Sequence, residues 1–322
     1  MMHYAPLIAA LVALVSIIIL SKAIGSRIQD IPNARSLHVT PVPRIGGIGL
    51  MAGLFSGWLA MAQAPVWWVV LPMLILFIVS LFDDMRGLPV RLRLAAHLLS
   101  AALLVAGSGF FAQYGVLLAI ALWLFTVWLT NLYNFMDGSD GLAGGMAVSG
   151  FACYGVASVL AQNEVMALLN FVVAAAAAGF LLRNFPPAKV FMGDAGSIPL
   201  GFLAAAMGLW GWQQDLWGGW FPLLVFSPFI VDASVTLMKR SLRGVKITEA
   251  HREHYYQRAI RLGWSHRRVV LIEYVLMAGA GSGALWSLQR EEVLFFIVPV
   301  WLAVYIMLMR WLDKRWLART DE

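Results

Sequence analysis

Apolar windows of about twenty residues, the length a helix needs to cross a bilayer, recur eleven times along this 322-residue chain. They centre near Ala13, Leu54, Leu74, Leu103, Leu122, Gly155, Ala174, Ala205, Val225, Leu276 and Val300. Backbone polar groups cannot stay unpaired in lipid, so such windows must be helices. The alternating pattern of a membrane barrel strand is absent. The sequence therefore predicts an all-α polytopic membrane bundle, one domain over residues 1–322, with eleven spans. The count is ten if one of the short-looped segments ending at Phe82 and Phe110 is not a span. A composition of 61% hydrophobic and 12% charged residues excludes a soluble domain on a single anchor. No Lys or Arg precedes the first window and no small-residue cleavage site follows it, so it reads as a permanent span. The one cysteine, Cys153, excludes an intrachain disulfide and a cysteine-rich zinc site and reads as a core thiol.

The basic residues sort by side. Every one of the 23 Lys and Arg except Arg290 falls in an odd-numbered loop or in the C-terminal tail. The positive-inside rule then puts those loops in the cytoplasm, the N-terminus outside and the C-terminus inside. The cytoplasmic loops are about 22–45, 83–93, 131–145, 183–197 and 239–268. The polar motifs HVTPVPRIGG, LFDDMRGLPVRLRL, NLYNFMDGSDGLAGG, NFPPAKVFMGDAGSIPLG and EAHREHYYQRAIRLGWSH lie in these same loops. Such sorting predicts a site assembled at the cytosolic mouth of the bundle.

Asp83 and Asp84 are adjacent at the end of a span, where two carboxylates repel unless a cation neutralises them. Asp137, Asp140 and Asp194 add three acids. Hard oxygen ligands without a nearby Cys favour Mg²⁺ or Mn²⁺ over zinc. Mg²⁺ takes one or two carboxylates, so the remaining acids must orient water, bind substrate or handle protons. Asn131, Asn134, Asp137 and Asp140 recur every three residues and form a polar stripe that should face a wet cavity. Gly138 and Gly141 read as a tight loop, Gly144, Gly145 and Gly201 as helix packing. Ser197 reads as the cap of the helix after Asp194. His251 and His254, with Arg252 and Arg258 beside them, suit a phosphate-binding surface better than a zinc pair. Arg261, Arg267 and Arg268 read as a solvated basic loop, and His38, His97 and His266 have no partner constellation. Asp232, inside an apolar run, should pair with a basic group or face the same cavity.

The aspartate pair, the NxxNxxDGxDGLAGG run from Asn131, the FMGDxGS segment from Phe191 and the histidine loop occur in the order and spacing of one family. The chain resembles the polyprenyl-phosphate N-acetylhexosamine-1-phosphate transferases (glycosyltransferase family 4 type) over roughly Pro43 to Gly263. That resemblance implies transfer of a sugar-1-phosphate from a UDP-N-acetylhexosamine to undecaprenyl phosphate, with release of UMP and a need for Mg²⁺ or Mn²⁺. It implies that Asp83, Asp84, Asp137, Asp140 and Asp194 line the active site, that Asp194, with Asp84, ligates the metal and that Asn134 lies near the nucleotide. Asn131, His251, Arg252, His254 and Arg258 are the other expected substrate contacts. In the family the first acid of the pair, here Asp83, has been proposed as a base, or an acid as a nucleophile. The acceptor phosphate is largely ionised at neutral pH, which favours its direct attack.

Two departures stand out. The pair is followed by DDMRGL, with Arg86, where the family often has another acid or a lysine. The histidine loop is HREH, where the family commonly has HxHH or HHH. The second points away from the peptidoglycan translocase and towards an O-antigen or capsule branch. Its sugar is then N-acetylglucosamine or a 6-deoxy relative such as N-acetylfucosamine or N-acetylquinovosamine. The expected setting is the bacterial inner membrane, with membrane lipid and no nucleic acid as partners; a homodimer is compatible with it. An ion- or proton-coupled transporter is the alternative, although transporters bind near the midplane in repeated halves and no inverted repeat is visible. A metal-free lipid-binding scaffold is a third reading, against which the five acids weigh. The CDP-alcohol phosphotransferase hallmark is missing, because SDGLAGG follows Asp137–Gly138.

Overall fold

The computed structural model describes residues 2–32, 37, 40–61, 65–246 and 251–320. Arg35 and His38 of the first basic loop, and Glu249 and Ala250 ahead of the histidines, lie outside the described residues. In chain order the helices are α1 (Ala5–Ala23), α2 (Gly46–Ala60), α3 (Trp67–Arg86), α4 (Val90–Gly107), α5 (Phe110–Tyr114), α6 (Val116–Phe135) and α7 (Leu142–Leu160). Then come α8 (Glu164–Asn184), α9 (Asp194–Gln213), α10 (Trp220–Val225), α11 (Ser227–Leu242), α12 (Tyr255–Arg261), α13 (His266–Gln289) and α14 (Leu294–Thr320). Among the described residues the only sheet is a two-residue antiparallel pair, β1 (Gln29–Asp30) and β2 (Val42–Pro43). The chain is an all-α, multi-pass membrane bundle.

Each of the eleven apolar windows is helical, but two are not uniform spans. Nine helices among the described residues are long and apolar enough to cross a membrane. The second window is only the fifteen-residue α2. The ninth is broken at Phe226 into α10 and α11. Proline explains the break. Pro228, in the first turn of α11, has no N–H to give the carbonyl of Leu224. That carbonyl accepts the hydroxyl of Ser227 instead, at 2.7 Å.

The centre of the bundle is α9. Every residue from Ala195 to Gly211 is buried, as expected of a helix that is apolar all round. It packs on α3 and α6, with α2 and α7 also against it. At the crossing with α2, a Cβ on Gly47 would lie 2.4 Å from the backbone nitrogen of Gly196, so the two backbones touch. The segment ahead of α9 is pinned beside this crossing. Phe191 N–H donates to Pro43 O at 2.8 Å, and Gly46 and Gly47 donate to the carbonyls of Phe191 and Met192 at 2.9 and 2.8 Å. These bonds fix where α9 begins.

The C-terminal helices are attached more loosely. α14 packs on α12 and α13 and leaves most of its side chains exposed. Asp232 on α11 is buried; among the described residues it pairs with no Lys or Arg, and it does not line the polar cavity described below. Its oxygens accept the backbone N–H groups of Tyr255 and Tyr256 at 2.9 and 3.0 Å, which caps α12, and the His254 ring stands 3.4 Å away.

Candidate active site

The two acids that end α3 have different tasks. Asp84 accepts the backbone N–H groups of Asp194 at 3.1 Å and Ala195 at 2.9 Å, so it caps α9 from another helix. Ser197, expected in that role, instead donates to the Gly193 carbonyl at 3.1 Å and accepts from Asn134 Nδ2 at 3.0 Å. Gly193 is required at this turn. Its φ is +71°, and a Cβ there would stand 2.7 Å from Asp84 Oδ2.

Asp83 is held by the Leu88 N–H at 2.5 Å on one oxygen and by Arg93 Nη1 at 2.9 Å on the other. The same Arg93 nitrogen lies 3.5 Å from Asp194 Oδ2, so one guanidinium bridges the two acids. Asn134 Nδ2 donates to the other Asp194 oxygen at 2.8 Å. Arg44, at the end of β2, stands 3.2 Å from Asp30 and 3.7 Å from Asp84. The helix ends carrying these groups therefore meet at one end of the bundle.

Beside them opens a cavity of about 360 Å³. Asn134, Asp137, Asp140 and Asp194 line it, joined by Asp30, Arg44, Gln257 and His266. Asp137 sits in the turn between α6 and α7. Burial, then the negative charges of Asp194, Asp84 and Asp30, push its carboxyl well above the usual carboxylate range. Asp140 accepts the Ala188 N–H at 3.0 Å, which ties the α6–α7 turn to the segment ahead of α9. His266 was expected to have no partners. Its Nδ1 lies 3.0 Å from Ser139 Oγ and 3.8 Å from Asp140, in the cavity wall. A histidine at a helix start in one of the polar loops was the available signal.

Other expected residues stand elsewhere. Asn131 turns its amide to the Val127 carbonyl of its own helix at 2.7 Å and does not line the cavity. Asp83 and Asp84 lie behind the cavity wall. His254 is buried, its ring between those of Phe135 and Tyr256 at 6.2 and 6.0 Å. His251 is 4.9 Å from it, ring to ring. Burial, then the neighbouring His254 and Arg240, lower the His251 pKa to about 4, so it is a neutral ring at pH 7 and no cation for phosphate. Arg258 is buried and engaged by Asp313 at 2.9 Å and Glu253 at 3.7 Å, which replaces the expected phosphate contact. Arg252 is half-buried, and its carbonyl accepts from Arg261 at 3.2 Å. Among the described residues, the histidine loop reaches the cavity through Tyr256 and Gln257, just after HREH, whose place carried no chemical signal.

The donors at the cavity suit a hard divalent cation. Among the described residues no three Asp, Glu, His or Cys side chains close round one point. Mg²⁺ commonly takes one or two carboxylates and completes its shell with water and phosphate oxygens. Asp194 and Asp137, both in the cavity wall and near enough for the charge of Asp194 to raise the Asp137 carboxyl, fit that pattern.

The chain is similar to known proteins along most of its length. Residues 66–211 match Glycosyl transferase family 4. The chain is 27% identical to the "Probable undecaprenyl-phosphate N-acetylglucosaminyl 1-phosphate transferase" of Bacillus subtilis (strain 168), over 93% of this chain and 87% of that protein. It is 30% identical to the "Decaprenyl-phosphate N-acetylglucosaminephosphotransferase" of Mycobacterium tuberculosis (strain ATCC 25618 / H37Rv), over 80% and 75%. It is 26% identical to the "Undecaprenyl-phosphate alpha-N-acetylglucosaminyl 1-phosphate transferase" of Yersinia pestis, over 90% and 84%. With its paired acids, its Asn134–Asp194 contact and this likeness along most of its length, the chain belongs to the polyprenyl-phosphate N-acetylhexosamine-1-phosphate transferase family.

Proposed function

We propose that the protein transfers N-acetylhexosamine-1-phosphate from a UDP-sugar to undecaprenyl phosphate, releases UMP, and thereby starts an O-antigen or related surface polysaccharide. The proposed place is the cytoplasmic face of the bacterial inner membrane, as the one-sided basic residues suggest. N-acetylglucosamine is the first sugar to test, because the three relatives above carry it in their names. The 6-deoxy N-acetylhexosamines come second. The transporter reading drops out with family membership.

One observation supports this most: Asp194, fixed by Asn134 and faced by Arg93, stands at a polar cavity that also holds Asp137 and Asp140. We assign Asp194 and Asp137 to hold Mg²⁺ or Mn²⁺, which supplies charge neutralisation for phosphate oxygens when bound. Asp84 then acts by capping α9 rather than as a ligand. In the proposed reaction an acceptor phosphate oxygen attacks the β-phosphorus of the UDP-sugar. The bond from that phosphorus to the α–β bridging oxygen breaks, and UMP leaves with the oxygen and its electron pair. The acceptor is already mostly ionised at pH 7, so no base is needed. The two hydrogen bonds that occupy Asp83 suit a positioning role better than a nucleophile or base.

The test is UMP release by purified protein with undecaprenyl phosphate, Mg²⁺ and a panel of UDP-N-acetylhexosamines, with and without EDTA, beside Asp194→Asn. Release that needs lipid, metal and Asp194 is the expected result, and the best sugar names the donor. No release with any sugar, from protein with an intact melting transition, overturns the reading.

A further inference from the structure

A second cavity, of about 510 Å³, opens between α11, α12, α13 and α14. Its walls are mostly apolar and carry two acids, Asp232 and Glu273. From Val269 to Leu276 the wall follows α13 over eight residues, about 10 Å at the helical rise. Trp264 and Trp311, with ring centroids 5.6 Å apart, form its lip. Arg268 lies over the Trp264 ring and Arg315 over the Trp311 ring, each at 4.2 Å. Both arginines are exposed, and among the described residues no carboxylate pairs with either.

An apolar slot roughly as deep as part of one leaflet, with indoles at its lip and two guanidiniums above them, is complementary to one kind of molecule. Indoles settle at the headgroup level, and arginines attract lipid phosphate. We propose that this slot binds one anionic diacyl phospholipid, its acyl chain between α13 and α14 and its phosphate against Arg268 and Arg315. The binding stands whatever reaction the polar site performs. An effect on catalysis would rest on the transferase reading, and the structure offers a route for it. Tyr256 lines both cavities, so an occupied slot backs α12 against the wall of the polar site. The rival reading is a cationic headgroup drawn by Glu273, which lines the slot and makes no ion pair with a Lys or Arg among the described residues.

The test is native mass spectrometry of the full chain in neutral detergent, titrated with phosphatidylglycerol, phosphatidylcholine or undecaprenyl phosphate. Phosphatidylglycerol should bind in a 1:1 complex, and phosphatidylcholine should not. Arg268→Gln with Arg315→Gln should weaken it by about thirtyfold, about fivefold for each arginine near an anionic headgroup. Melting temperature without lipid should not change, which keeps misfolding apart from lost binding. Phosphatidylglycerol should also raise UMP release by the unaltered protein, while the double variant keeps its basal rate and loses the stimulation. Equal binding to the double variant overturns the proposal, as does equal binding of the two phospholipids. Displacement of phosphatidylglycerol by equimolar undecaprenyl phosphate would give the slot to the acceptor instead. Loss of binding in Glu273→Gln alone would give it to a cationic headgroup. Mass spectrometry needs no turnover, so failure of the transferase reading leaves this result intact.

Discussion

Asp84 on α3 takes the first backbone N–H of α9, that of Asp194, at 3.1 Å, and so one acid of the bundle positions another. A helix start has unpaired N–H groups and a positive dipole end, and an acid from a neighbouring helix satisfies both. Capping across helices also locks α3 to α9, whose bundle contact is extensive. The adjacent pair Asp83–Asp84 thus divides its labour, one acid facing Arg93 and the other holding the helix start.

Asp84→Ala should cost about 1–2 kcal/mol of stability, the usual worth of a lost cap. Asp84→Asn, which keeps one acceptor oxygen, should cost less. With Asp194 free to shift, Asp84→Ala should lose roughly a hundredfold in rate, because small misplacements at a reacting centre are expensive. Melting in detergent and UMP release measure the two effects. If Asp84→Ala melts like the unaltered protein and is rescued by more Mg²⁺, Asp84 is a ligand and its capping is incidental.

Asp137 predicts how proton and cation compete. Its carboxyl is raised by burial and by the acids facing it, so the folded, cation-free protein holds this proton more tightly than the unfolded chain does. Its contribution to stability is therefore greatest at low pH and is lost as pH rises through the raised pKa. A divalent cation binds only the carboxylate and reverses that loss. The acid limb of the rate profile should move to lower pH as Mg²⁺ is raised, and Asp137→Asn should abolish the shift while losing about a hundredfold or more in rate. A limb that ignores Mg²⁺ would remove Asp137 from the cation site.

Much of this was legible because lipid is a strict solvent. Apolar windows and one-sided basic residues predicted the helices, and polar residues at helix ends could not be decoration. Of the acids that line the cavity, Asp137, Asp140 and Asp194 stood out for that reason and Asp30 did not. What stayed hidden depends on tertiary direction. Asn131 and Asn134 share one helical stripe, yet Asn131 bonds its own helix and Asn134 reaches Asp194. A three-residue spacing drifts round the helix, and only packing decides which end of the stripe faces the cavity. Arg258 looked available because its carboxylate, Asp313, lies fifty-five residues away on α14. The break at Phe226 was masked by continuous hydropathy, although Pro222 and Pro228 flank it.

His251 gives a second pH prediction, of opposite sign. Its folded pKa of about 4 lies below the 6.5 of an ordinary imidazole. The stability it contributes is full above pH 6.5 and falls away as pH drops towards 4. In ¹⁵N-histidine NMR the His251 ring should remain neutral at pH 5.5, where a free histidine is mostly charged. His251→Gln should flatten the loss of melting temperature between pH 6.5 and 5. A ring that titrates near 6.5 would return His251 to the list of candidate phosphate-binding cations.

Asp313 tests whether α14 supports the polar site from a distance. Its carboxylate meets Arg258 at 2.9 Å, Lys239 at 2.5 Å and the Tyr255 hydroxyl at 3.2 Å, and so it fastens α12 to α14. In Asp313→Ala the buried Arg258 would keep Glu253, at 3.7 Å, as its one carboxylate among the described residues, beside the Tyr255 and Trp316 rings. Losing hydrogen bonds to a charged group costs about 1.5–3 kcal/mol, so the variant should melt measurably lower. Tyr256 and Gln257 on the same short helix line the polar cavity, so KM for the nucleotide sugar should rise more than kcat falls. Asp313→Asn, which can still accept from Tyr255 and Arg258, should recover part of both. A fall in kcat alone, at unchanged KM and stability, would show that Asp313 acts on the chemistry and not by holding α12.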